Sequence, residues 1–181
     1  MWRAALAILL VCSGCGVAPQ PESNRTVAAF EIPLSTEGER HEMLALLSQE
    51  AAAYGYHVDA SNAEELKQLS EVSPMTIHAA VWRGKNDEES IASIMDHEDH
   101  LGRAWLTFAK GQRPERSAEF REKVMQRIKR RWPKTLSLPI MPSGGIPNPY
   151  QLRRTDDGYK LNPEYASNYQ VSVDSPQVAH D

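Results

Sequence analysis

The sequence predicts an α+β domain in which a mainly antiparallel sheet carries two long helices on one face. Three observations predict it. Short runs of β-branched and apolar residues alternate with period two. Two longer runs place apolar residues at helical spacing behind recognisable start signals. These pieces follow one another as strand, helix, several strands, helix, strand, which is an α+β order and not the regular βαβ alternation of a parallel sheet.

The first strand spans Thr26 to Leu34, rich in β-branched and apolar residues and closed by Pro33. Thr36-x-x-Glu39 then forms a capping box, in which Glu39 bonds back to the N–H of the capping threonine. Met43, Leu44, Leu47, Ala51 and Tyr54 share one face of the helix that follows, and Gly55 stops it. Tyr56 to Asp59 reads as a short strand. Ser61-x-x-Glu64 repeats the capping signal, so a two-turn helix is expected over Asn62 to Leu69, ended before Pro74. Met75 to Arg83 is a strand with Ile77, Ala79 and Val81 on one side and Thr76, His78, Ala80 and Trp82 on the other.

Gly84-Lys85-Asn86-Asp87 reads as a turn into a partner strand at Ile91 to Met95, whose alternation is poor. After the charged stretch Asp96–His100, Arg103 to Ala109 sets Ala104, Leu106 and Phe108 against Trp105. The second long helix begins at Pro114, suited to a first turn, and ends at Arg131 because Pro133 disfavours helical geometry at Trp132. Leu136 to Met141 is a last short strand. From Ser143 to Asp181 the chain is rich in Pro, Tyr, Asn and Ser and reads as an irregular extension packed on the domain, with extended pieces at Tyr159–Leu161 and Tyr169–Val173. The whole order resembles a ferredoxin-like sandwich with an inserted hairpin.

The 181 residues are enough for one domain (26–142) with a real core and a tether. Twenty basic and 24 acidic residues give a net charge of −4, a mildly acidic balance that argues against general nucleic-acid binding.

Ahead of the domain stands a different kind of segment. Arg3 is followed by an apolar run from Ala4 to Val11 and then Cys12-Ser13-Gly14-Cys15. A charged start, a short apolar run and small residues at a cut site are the parts of a secretory signal. The ending resembles the lipobox of bacterial lipoproteins, with Cys12 standing where that family usually has leucine. The resemblance implies removal of residues 1–14 and lipidation, including palmitate, of Cys15. Gly16 is not the Asp that favours inner-membrane retention, so it further implies the periplasmic face of the outer membrane. The apolar run is too short to span a bilayer, which takes about 20 residues. Residues 16–25, with two prolines and no periodicity, read as a flexible tether. Cleavage would also leave Cys15 as the one cysteine, so stability must come from the core, without a disulfide.

Chemistry is sparse. Asp96-His97-Glu98-Asp99-His100 offers the side chains of a zinc site or an acid–base pair. On a strand His97 and His100 point to opposite faces, and no third-ligand motif accompanies them, so the cluster reads as a solvated loop. A metal-dependent hydrolase built on it is the alternative. There is no Gly-x-Ser-x-Gly, no phosphate-binding glycine loop and no Ser-x-x-Lys. No cofactor is implied. Charge is more informative. From Arg113 to Lys134 nine basic residues meet three acidic ones, whereas Lys85 to Asp99 holds six acidic residues and one lysine. At about 100° per residue, Arg116, Lys123, Arg127 and Arg130 fall within about 60° of arc, opposite Val124, Met125, Ile128 and Ala118. The stripe reads first as the solvated back of an amphipathic helix. It is also the candidate binding surface for an acidic protein or an anionic envelope component. A second candidate is the proline-stiffened stretch Leu138 to Tyr150, although such a tail equally serves to cover the domain's own sheet edge. The expectation is a non-catalytic, membrane-anchored binding protein of the inhibitor, immunity or envelope-assembly kind.

Overall fold

The computed structural model describes residues 22–84, 88–96 and 101–169. The cleavage site and Cys15, the turn at 85–87, His97 through His100 and the extended piece beyond Tyr169 lie outside them. Eight strands form one sheet in the order β2-β3-β4-β5-β1-β6-β8-β7. They are β1 (Thr26–Pro33), β2 (Tyr56–Ala60), β3 (His78–Arg83), β4 (Glu89–Met95), β5 (Arg103–Ala109), β6 (Leu136–Ser137), β7 (Leu152–Thr155) and β8 (Gly158–Leu161). Every pairing is antiparallel except β6 with β8. The chain is α+β, as the element order predicts.

Helices α1 (Glu37–Ala53) and α3 (Pro114–Arg131) lie together on one face. Met43, Leu46, Leu47 and Ala51 of α1 and Phe120, Val124, Met125 and Ile128 of α3 bury themselves against Ile32, Val81, Ile94, Leu106 and Phe108 of the sheet. β1 and β2 run parallel, joined through α1, with β5, β4 and β3 between them. A ferredoxin-like sheet has one strand in that interval, so the hairpin β3–β4 supplies the expected insertion. Thr36 and Glu39 form the predicted capping box, and Gly55 follows α1 at φ 68°. α3 keeps both predicted ends, with Pro114 in its first turn.

Several expectations need correction. The cap of α2 (Ala63–Ser70) is Asn62 with Glu65, one residue beyond the expected Ser61–Glu64 pair. Both frames fit the motif, but Ser61 is already spent: its N–H donates to the His78 carbonyl and its hydroxyl lies 2.9 Å from His78 Nδ1. β3 starts at His78 and not at Met75, because the Thr76 and Ile77 amides donate to the Asp96 carboxylate instead of the ladder. The poor alternation of β4 has a cause. The register slips from Val81↔Ala92 to Trp82↔Ser90, leaving Ile91 as an extra residue, so Ile91 and Ala92 both turn inward. β6 holds two residues and not six, since Pro139 has no N–H for the ladder; one further bond joins the Leu138 N–H to the Ala29 carbonyl. On α3, Ser117 and Phe120 are buried while Ala118 is only half-buried, which swings the inner face toward α1.

The described parts of the segments read as tether and irregular extension, residues 22–25 and 143–169, are built in. Residues 22–24 form a 3-10 turn fastened to the end of β5: the Lys110 and Gly111 amides donate to the Arg25 and Ser23 carbonyls at 2.8 Å, and Lys110 pairs with Glu22. That pairing holds the Glu22 carboxyl below its ordinary range, first through the hydrogen bond from Lys110. β7 and β8 form a hairpin that extends the sheet beyond β6, so this part of the extension is regular structure, joined to the sheet through the bridge of Gly158 to Ser137.

Candidate functional site

The face of the sheet away from the helices is where the tail arrives. On this side β1 presents Ala29 and Glu31, and β5 presents Arg103, Trp105 and Thr107, by the strict alternation of strands. Ala29, Trp105 and Leu138 form a small second cluster, with Ile140, Ile146, Leu152 and Tyr159 packed against it. Between tail and sheet opens a cleft of about 340 Å³. Glu31, Arg103 and Trp105 line it from the sheet, and Pro149, Tyr150, Leu152 and Tyr159 from the tail.

Glu31 is 5% exposed, a carboxylate set into an otherwise apolar strand. It is compensated on every side. Trp105 Nε1 donates to Oε2 at 3.2 Å, and the Tyr159 hydroxyl donates to Oε1 at 2.9 Å. Arg103 Nη1 reaches the same Oε1 at 3.5 Å and the Tyr159 oxygen at 3.3 Å. A buried carboxylate left unpaired would be very costly, so this arrangement fixes the tail to the sheet at a defined place. Burial raises the Tyr159 phenol above its ordinary range, and the hydrogen bond to Glu31 adds to that, against the smaller opposing influence of Arg103 and Arg154. At the mouth, Tyr150 is 65% exposed. Its ring meets Tyr165 edge-on at 6.0 Å, and its hydroxyl accepts from Asn148 Nδ2 at 3.3 Å. Arg154 stands opposite Tyr159 in the β7–β8 ladder and therefore on the same face.

The basic stripe of α3 is divided. Arg116 donates to the Tyr54 carbonyl at 2.6 Å and stands over the Tyr56 ring. Arg127 bonds Gln49 at 2.8 Å and Glu50 at 2.6 Å, and Arg131 pairs with Glu42 at 2.7 Å. These three belong to the seam with α1. They are the members of the basic face nearest the buried side, within reach of the acidic flank of α1. Lys123 and Arg130, one step further round, are exposed. The stripe is therefore neither a purely solvated back nor a continuous free patch.

The charged stretch at Asp96 also departs from expectation. Asp96 is 1% exposed, not solvated, and its carboxylate accepts from the Thr76 and Ile77 amides and the Thr76 hydroxyl. Those bonds clamp the start of β3 and occupy the Asp96 carboxylate, which the hydrolase alternative would need. Glu89, 3% exposed, does similar work by accepting from Arg83 Nε at 2.8 Å and from the Gln112 amide. Among the described residues no group of three His, Cys, Asp or Glu side chains is placed to hold a metal, and no helix is long and apolar enough to cross a membrane.

The second candidate, Leu138 to Tyr150, supplies Pro149 and Tyr150 to the cleft. The cleft as a whole was missed, because its residues come from three segments far apart in the chain and the sheet side carries one local signal, Glu31, a charge at an alternating position of a strand that otherwise reads as apolar. No protein-family model matches the chain, and a search of curated proteins finds no match.

Proposed function

We propose that the protein is a lipid-anchored envelope lipoprotein whose domain binds a partner protein without catalysis, and that the cleft between tail and sheet is its binding site. The observation that carries the reading is the state of the cleft's ionisable groups. Glu31 is saturated by donors from Trp105, Tyr159 and Arg103, which suits a carboxylate that holds a surface in shape and not one poised to take a proton from a substrate. Around it the cleft offers rings, a proline and an exposed tyrosine, the amphipathic groups that contribute most at binding surfaces. The Ala4–Cys15 segment supports the anchor. The hydrolase alternative loses ground because the Asp96 carboxylate is occupied by Thr76 and Ile77. Lys123 and Arg130 remain a secondary, steering surface for an acidic partner.

Two measurements test this. Labelled palmitate should enter the wild type and the Cys12→Ser variant but not Cys15→Ser, which should also lose membrane retention; retention and normal processing of Cys15→Ser would remove the lipoprotein reading. Photo-crosslinking from position 150 in intact cells should trap one discrete protein. A comparable yield from an exposed position on α2, such as Lys67, would mean that the cleft is not the binding surface.

A further inference from the structure

The cleft's chemistry narrows what enters it. We infer that it takes a carboxylate carried beside an aromatic or aliphatic group, as presented by an acidic peptide segment of the partner, with Arg103 binding the carboxylate and Tyr150 covering the apolar part. This inference rests on the cleft being the binding site.

Arg103 is the reason for the carboxylate. A guanidinium has five N–H donors in a planar fork, and among the described residues its partners are reached by Nη1 alone, at 3.5 Å to Glu31 and 3.3 Å to Tyr159. Both contacts are long, and its side chain is 40% exposed where that of Glu31 is 7%. Glu31 meanwhile draws its closest bonds from Trp105 and Tyr159, so Arg103 is held in place without being used up. Arg154, on the same face, adds a second positive charge in a chain whose overall balance is negative. A fork of free donors beside an extra cation is suited to bidentate capture of a planar anion.

The remaining lining decides between kinds of anion. A saccharide needs several donors and acceptors around its hydroxyls, yet Glu31 and the Tyr159 hydroxyl are bonded to each other. Arginine binds phosphate as well as carboxylate, but a phosphate spreads about two charges over tetrahedral oxygens and calls for more donors than one planar fork, and no lysine lines the cleft. What is left on offer is apolar: Leu152 and Pro149 as wall, and the exposed ring of Tyr150 braced against Tyr165. The volume of about 340 Å³ lies at the small end for ligand pockets and suits one side chain with its neighbouring carboxylate.

The Trp105 indole N–H reports on the floor of the cleft, so NMR of the full-length chain in detergent micelles provides the test. N-acetylphenylalanine, which joins a carboxylate to a ring, should shift that resonance with a millimolar-range midpoint, and its uncharged amide should need at least about tenfold more. Arg103→Lys should weaken binding of the acid but not of the amide, since the charge stays and the fork is lost. Arg154→Gln, an exposed change that leaves the Glu31 bonds alone, should weaken it less. Equal binding of acid and amide, no shift at tens of millimolar, or equal competition by inorganic phosphate or N-acetylglucosamine would each overturn the inference. If a protein is trapped from position 150 but its capture ignores Arg103→Lys, the binding reading stands and this one falls.

Discussion

The two faces of the sheet are closed by different means. On the helix side twenty-one of the described residues are buried in one continuous core, with Phe108 and Phe120 meeting edge-on at 6.2 Å and Ile32, Leu47 and Ile128 wholly buried. On the tail side, among the described residues, the buried cluster is Ala29, Trp105 and Leu138. There the closure depends on a few directional contacts: the bonds at Glu31 and the single parallel bridge of Ser137 to Gly158. Apolar area holds the first face, and placement holds the second. A face closed by area tolerates little change in volume, whereas a face closed by placement leaves room for a cleft and opens when one contact is lost.

The strongest way to break this contrast is in the helix-side core. Phe120→Ala removes a fully buried ring that meets Tyr54, Tyr56 and Phe108, and should cost about 3–5 kcal/mol in denaturant unfolding. Leu47→Ala and Ile128→Ala should each cost about 2–5 kcal/mol. Losses under 1 kcal/mol at all three would mean that the helices do not carry the core.

On the other face, Gly158→Ala should cost about 1–3 kcal/mol, because φ is 137° and an added Cβ would lie 2.7 Å from the Ser137 carbonyl oxygen. Its signature should be local. Amide exchange should accelerate in β7 and β8 while α1 and α3 keep the protection of the wild type. Uniform acceleration would show that the tail is part of the same cooperative unit as the core.

Alkali should separate the faces next. Burial and the Glu31 bond raise the Tyr159 phenol, so the folded state disfavours its ionised form. The stability it contributes is fully present below the free tyrosine value of about 10 and is lost as pH rises through the higher folded value. Tyr54 is raised as well, chiefly by burial, so Tyr159→Phe is the control. Tail exchange should rise above pH 10 in the wild type, and the variant should lack that step. The smallest effect belongs to the seam: Arg127→Ala should cost about 0–1 kcal/mol, since the pair with Glu50 is part-exposed and screened by salt.

How much of this was legible depended on whether a signal is local. Thr36 with Glu39 marks a helix end through bonds to nearby backbone, Pro114 and Pro133 mark theirs through ring sterics and a missing N–H, and the helices fell where those residues put them. β7 escaped notice because Arg153 and Arg154 fill the middle of a four-residue strand and leave no apolar alternation. Asp96 misled in the other direction. In a charged run it read as part of a solvated loop, and only the fold buries it by bringing Thr76 and Ile77 to it across about twenty residues of chain. The Glu31 cleft is assembled from β1, β5 and the tail; prolines and Tyr150 marked the tail side, but the sheet side had no local signature beyond the charge itself.

The position of β1 bears on the order of assembly. It is the first strand in the chain, yet it sits between β5 and β6, and its pairs run from Pro33↔Arg103 to Thr26↔Ala109. Closing those pairs spans 70 to 83 residues, a large loop-entropy cost, while β2 through β5 form a meander of near neighbours. A chain growing from its N-terminus therefore holds its first strand without a partner until residue 109 has been made. Premature folding of the leading segment is blocked by topology, and any truncation short of Ala109 exposes an unpaired apolar strand to aggregation.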